Sequence, residues 1–240
     1  MTSLFDAFFD DAALFPPGNA PMDQAVRAHL ARRGTADGQL VGPFVCPTAR
    51  LGELRDVLGH GHLELALVST VDEFADVLGQ LAAQQNLTLV AVELKGVVGE
   101  LPELPIGLRV FVERNWHDSY ALPEDAMLKL RCGGAEAADI PSSAQLAQAI
   151  EHCVEQDLPF KLTAGLHHAV RTEHEHGFLN VLAAVNAAID GSDPVPLLLG
   201  RDAAALKVTN PYAVRRLFRS IGTCSIDEPL ADLRELELIR

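Results

Sequence analysis

Eight short apolar runs, most of them followed by an amphipathic stretch, set the strongest constraint on what this chain can fold into. The runs are 12–15 (AALF), 43–46 (PFVC), 63–68 (LELALV), 87–94 (LTLVAVEL), 107–113 (GLRVFVE), 127–131 (MLKLR), 159–164 (PFKLTA) and 217–221 (LFRSI). Runs of this length, rich in Val, Leu and Phe and bounded by turn residues, read as buried strands. The segments 22–33, 50–58, 71–84, 143–156 and 176–190 read as helices between them. Asp23 marks the start of the first helix. Ser142 or Ser143 caps the one after Ile140 and Pro141. Ser225 with Glu228 has capping-box spacing, and Pro229 follows in the first turn.

Alternating strands and helices imply parallel strands joined by right-handed crossovers. The chain has 240 residues, close to the roughly 250 of a (β/α)8 barrel. The expected fold is therefore one α/β domain over 1–240, a (β/α)8 TIM-type barrel with a helical insertion at about 191–216. The PLLL stretch at 196–199 is the place where a strand would change the count. An open doubly wound parallel sheet is the alternative. It loses support because no GxGxxG follows the first strand and no GxxxxGK[ST] occurs.

The formal net charge is -14, from 33 acids against 19 Lys and Arg. Nucleic-acid backbones need a cationic face, so nucleic acid and anionic membrane surfaces are unsuitable partners. The amino terminus, MTSLFDAFFDDAALF, carries acids where a secretory signal needs a basic region. No run of about 18 apolar residues is present to cross a bilayer. A cytoplasmic chain is expected, with Cys46, Cys132, Cys153 and Cys224 as free thiols. A homo-oligomer is compatible with this reading.

Successive strand side chains face opposite ways. In MLKLR, Lys129 and Arg131 share a face opposed to Leu128 and Leu130. In PFKLTA, Lys161 and Thr163 oppose Phe160 and Leu162. In VAVELKG, Glu93 and Lys95 share a face, and in RVFVERN so do Glu113 and Asn115. The apolar set must cover the helices, so the ionisable set is expected on the barrel axis. Charge there is costly unless paired or used, and barrel enzymes place their chemistry at the carboxyl ends of strands. An interior ion-pair network without a function is the other reading of the same four residues, Glu93, Glu113, Lys129 and Lys161.

Glycine loops follow three of these strands: Gly133 and Gly134, Gly165, and Gly222 with Thr223 and Ser225. Glycine lets backbone N–H groups approach a ligand, and a helix amino terminus favours an anion. Arg131, Lys95, Thr163, His168 and these loop residues are the candidate substrate-binding groups. Four histidines fall within ten residues, His167, His168, His174 and His176, with His152 upstream. Imidazole suits zinc-like ions, but the spacing matches no HExxH. An acid, base or anion-binding role for His167 or His168 is favoured over a metal.

The strings DAALFPPGN (11–19), FKLTAGLHHAVR (160–171), HGFLNV (176–181) and GTCSIDEP (222–229) together resemble an uncharacterised bacterial protein family, which implies no activity. KLRCGG (129–134) and FKLTAG (160–165) resemble Schiff-base aldolases of the deoxyribose-phosphate aldolase type. Those place lysines on adjacent late strands of a barrel.

The functional expectation is an enzyme for a small anionic metabolite, phosphorylated or carboxylated, of lyase or isomerase type. Lys161 or Lys129 is the candidate nucleophile, its pKa depressed by the neighbouring cation. Glu93, Glu113 or His167 would move protons. No cofactor is required. A metal-dependent hydrolase or lyase using the 167–176 histidines with a divalent metal is one alternative. A non-catalytic ligand-binding protein is another.

Overall fold

The computed structural model describes residues 4–96, 101–134 and 139–239. Eight strands hydrogen-bond in sequence order, and the last returns to the first, giving a closed parallel barrel. They are β1 (Phe9–Asp11), β2 (Val41–Pro47), β3 (Leu63–Ser69), β4 (Leu87–Leu94), β5 (Arg109–Glu113), β6 (Met127–Arg131), β7 (Phe160–Thr163) and β8 (Phe218–Thr223). Helices α1 (Met22–Arg33), α2 (Leu51–Leu58) and α3 (Val71–Ala82) follow the first three strands. Then come α4 (Ser143–Glu155) after β6, and α5 (Phe178–Ile189), α6 (Val195–Leu199) and α7 (Pro211–Leu217) between β7 and β8. Helix α8 (Asp227–Glu235) closes the chain. Among the described residues no α-helix follows β4 or β5. The open sheet is excluded by the β1–β8 pairing.

Strand phase organises the core. Leu128 and Leu130 of β6 and Phe160 and Leu162 of β7 pack under α4 and α5. Phe44, Cys46, Leu65, Leu67, Val92, Leu94, Val110 and Val112 form the equivalent layer on the other side. Inside the barrel lies a small apolar group of Val45, Ala66, Val68, Ala91 and Phe111. In β4 the register shifts between Leu89 and Ala91. Leu87 and Leu89 therefore face the helices from odd positions, and Val92 and Leu94 from even ones. This one irregularity turns Glu93 onto the axis.

Two expectations are corrected. The first strand is not 12–15 but Phe9–Asp11. Its sequence, Phe-Asp-Asp, conceals a buried strand because both acids have buried partners: Asp10 meets Lys161 on the axis and Asp11 meets His29 of α1 at 3.0 Å. The apolar 12–15 run instead forms the turn that leaves the barrel mouth. The Ser225–Glu228 capping box does not form either. Ile226 is the residue before α8, and no side chain caps that helix. Ser142 does cap α4, in a reciprocal box with Gln145. Helix α1 begins one residue earlier than its acidic signal, with Asp23 in the first turn.

Two asparagines of α5 hold the segment between α5 and β8. Asn180 is fully buried. Its amide donates to the carbonyls of Leu197 and Gly200, and its oxygen accepts from Arg171 N–H. Asn186 accepts from the N–H groups of Thr209 and Asn210. Buried backbone groups must be paired, and these amides supply the partners that no regular element provides there. Asn180→Ala takes the side-chain partner from the Gly200 carbonyl and the Arg171 N–H, while the Leu197 carbonyl keeps the N–H of Gly200. It is expected to lower unfolding free energy by about 2–4 kcal/mol, read from the midpoint of urea denaturation. A change under about 0.5 kcal/mol, the surface-substitution range, contradicts this role.

Candidate functional site

The axis holds a chain of ionised groups drawn from five strands. Ser220 Oγ of β8 donates to Asp10 Oδ2 at 2.7 Å. Lys161 Nζ of β7 donates to the same oxygen and to Glu93 Oε1, each at 2.5 Å. Lys129 Nζ of β6 reaches the other Glu93 oxygen at 2.6 Å and Glu113 Oε2 of β5 at 2.9 Å. Register explains the convergence: Lys129 pairs directly with Lys161 across β6–β7, and Glu113 with Lys129 across β5–β6. The ammonium of Lys161 also lies 5.3 Å from the centre of the Phe111 ring, a cation–π distance.

Glu93 is the shared member. Burial opposes its charge, but the two ammoniums outweigh that and hold its carboxyl down to about 2. Lys161 moves the other way: burial opposes its charge, yet Asp10 and Glu93 raise its pKa above the ordinary lysine value. The expected depression is therefore reversed at Lys161, where the attraction of Asp10 and Glu93 outweighs burial. Lys129, against Glu93 and Glu113, stands in the same kind of double contact.

A cavity of about 530 Å³ opens above this network at the carboxyl ends of the strands. Of the anticipated residues, Glu93, Lys95, Lys129, Arg131, Gly133, Gly134, Thr163, Gly165, His167 and Gly222 line it. Glu113 and Lys161 do not; Lys161 lies beneath Glu93, almost fully buried. Thr223, Ser225 and His168 also stand off the wall. Thr223 Oγ1 donates to Ser225 O, and Ser225 N–H donates back to it, closing a local turn. His168 is half exposed and pairs with Asp232 of α8 at 3.3 Å.

The wall has two halves. Ala12, Phe15, Pro16, Pro17, Val45 and Val68 make an apolar side after β1 to β3. Lys95, Lys129, Arg131 and His167 make a cationic side against the acids Glu93 and Glu175. The glycine loops press together behind the cationic side. A Cβ on Gly133 would stand 3.0 Å from Gly165 N, and one on Gly165 would meet Cys132 O at 2.8 Å. Ala164, Gly165 and Leu166 all have positive φ, at 55°, 65° and 75°. Two non-glycine residues in that region store strain, and fully buried Leu166 anchors the turn.

The histidines do not converge. His176 is buried: Arg171 donates to its Nδ1 at 2.9 Å, so its Nε2 carries the proton and donates to Pro141 O at 2.8 Å. Burial pushes its pKa down. His167 alone reaches the cavity. Hydrogen bonding with Cys224 raises its pKa against the effect of burial, and Glu175 and Glu228 add to the rise. Among the described residues no group of three or more His, Cys, Asp or Glu is arranged to hold a metal ion, and no helix is long and apolar enough to cross a membrane.

Sequence reasoning missed Asp10, Cys224 and the Phe15–Pro17 wall. Asp10 could have been found by asking what a buried lysine pair would need as counter-charge. No protein-family model, curated protein or solved structure matches the chain.

The network predicts a distinct acid response. Glu93 titrates below its ordinary value of 4.5, at about 2. Its stabilisation is present above 4.5 and is lost as pH falls toward 2. Glu93→Gln is expected to cost about 3–5 kcal/mol at pH 7, because two buried ammoniums lose a shared counter-charge. It should also flatten the decline of stability between pH 4.5 and 2. Chemical denaturation across that range measures both; an acid limb parallel to wild type contradicts the assignment.

Proposed function

We propose that this protein is a Schiff-base lyase for a small anionic carbonyl compound, with Lys129 as nucleophile. One observation carries the choice: of the two axial lysines, Lys129 borders the cavity and Lys161 lies behind Glu93. The resemblance to Schiff-base aldolases in KLRCGG and FKLTAG agrees with it.

Lys129 passes a proton to Glu113, its neighbour at 2.9 Å. The neutral amine adds to the substrate carbonyl carbon, and the carbinolamine loses water as Glu113 returns the proton. The resulting iminium carries the same single charge as the ammonium it replaces. Glu93, held ionised by Lys161, therefore meets product and reactant with one arrangement and needs no reorganisation. Where the substrate has a hydroxyl on its β-carbon, Glu175, an acid of the cavity wall, takes that proton. The α–β bond then breaks, its electron pair moves to the iminium as an enamine, and a carbonyl fragment leaves. Protonation of the enamine carbon and addition of water release the second product and restore Lys129.

In this reading Arg131 and Lys95, both on the cavity wall, hold the substrate anion, and the apolar wall takes its carbon skeleton. His167, whose pKa is raised by its bond to Cys224, adds a third basic group. This cationic side lies within a chain of net charge -14, so the attraction is local to the cavity and not a property of the whole surface.

The chain has four lysines, Lys95, Lys129, Lys161 and Lys207, so covalent trapping is simple to map. Borohydride reduction in the presence of 2-keto acids and aldehyde phosphates is expected to leave a stable adduct on Lys129. Lys129→Ala should abolish it. Peptide mass mapping that finds no adduct across such a panel, or one only on the exposed lysines, refutes the proposal.

A further inference from the structure

Cys224 closes the carboxyl end of β8 and borders the cavity. It differs from the other three thiols. Cys46, Cys132 and Cys153 are 0 %, 1 % and 1 % exposed. Burial pushes Cys46 and Cys153 up to about 12, and Cys132 in the same direction, so none of them is reactive at neutral pH. Cys224 is half-buried, and its Sγ lies 3.9 Å from Nδ1 of His167.

We infer that Cys224 and His167 form a nucleophilic thiol site for small anionic electrophiles on the cavity wall. The geometry supplies each requirement. The imidazole lies within reach of the thiol proton and accepts it as the sulfur attacks. Glu228 Oε2, 3.3 Å from the same ring nitrogen, and Glu175 at the cavity wall sustain the imidazolium. Glu228 is half exposed, so its repulsion of a thiolate is screened by water. Arg131 and Lys95 border the same space and draw in an anion.

The step is a substitution. Sulfur forms a bond to the electrophilic carbon, the leaving group departs with its bonding pair, and the thiol proton passes through His167 to solvent. This site needs neither a carbonyl substrate nor Lys129, so its outcome is separate from that of borohydride trapping.

The test treats the purified full chain with iodoacetate or iodoacetamide at pH 7 and follows each cysteine peptide by mass. Cys224 is expected to be the cysteine modified in the native protein. Its rate should fall about tenfold in His167→Gln, the order of change that loss of a thiolate-stabilising partner produces. Arg131→Gln should slow iodoacetate and leave iodoacetamide unchanged. A comparison without variants gives a second reading: the ratio of iodoacetate to iodoacetamide rates at Cys224 should be higher in the native protein than in urea. Labelling of Cys224 no faster than that of the buried thiols overturns the inference. So does an unchanged rate in His167→Gln, or a native rate ratio no higher than the unfolded one.

Discussion

Two ammonium groups share one carboxylate on the axis of this barrel, and the rest of the site is arranged around that contact. Glu93 lies between Lys161 and Lys129, with Asp10 and Glu113 as outer acids. A barrel of this type ordinarily fills its axis with layers of branched apolar side chains. Here the apolar layer is reduced to small residues and one phenylalanine, and ion pairs take the remaining space. Such pairs contribute little net stability against an apolar alternative, yet losing one member is severe. Their main structural effect is directional: each carboxylate oxygen of Glu93 is committed to a different lysine, so neither amine can swing away without leaving a buried charge. The cavity floor is thereby held in one geometry.

Much of this was legible in the chain because β6 and β7 obey strict alternation. Lys129 and Lys161 each stand between leucines or phenylalanine that demand the helix-facing side, which leaves the axis as the only place for the amines. Glu93 was placed correctly although β4 breaks its own phase. The last four residues of that strand, after the shift, are the ones that read cleanly. Asp10 was not legible. A strand of three residues offers no period, and two adjacent aspartates look like a solvated turn until the lysine opposite is known. The histidine-rich stretch misled for a different reason. Density in sequence says nothing about direction, and the turn through Ala164, Gly165 and Leu166 sends His167 to the cavity while His176 faces Pro141.

The electrostatics of the mouth follow from position and not from composition. An acidic chain would repel an anion on approach, but Arg131 ends β6 and Lys95 follows β4, two strands whose buried ends already carry charged groups. Each cationic side chain at the rim continues the face of the lysine or glutamate two residues before it. The alternation that puts Lys129 on the axis also puts Arg131 above it. The same rule on β4 puts Lys95 above Glu93. Interior pairing and rim charge are thus one periodic feature seen at two depths.

The packed glycines behind that rim bear on how such a site can diversify. The connections after β6 and β7 touch backbone to backbone at Gly133 and Gly165, where a single methyl group would collide. Drift in either connection is tied to compensating change in the other, so this arc resists piecemeal insertion and substitution. The opposite arc, from Phe15 to Val68, presents apolar side chains to the cavity and meets such a lock at Gly18, where a Cβ would stand 3.0 Å from Cys224 O. Exchange of side chains at Val45 or Val68 leaves both sets of glycine contacts untouched.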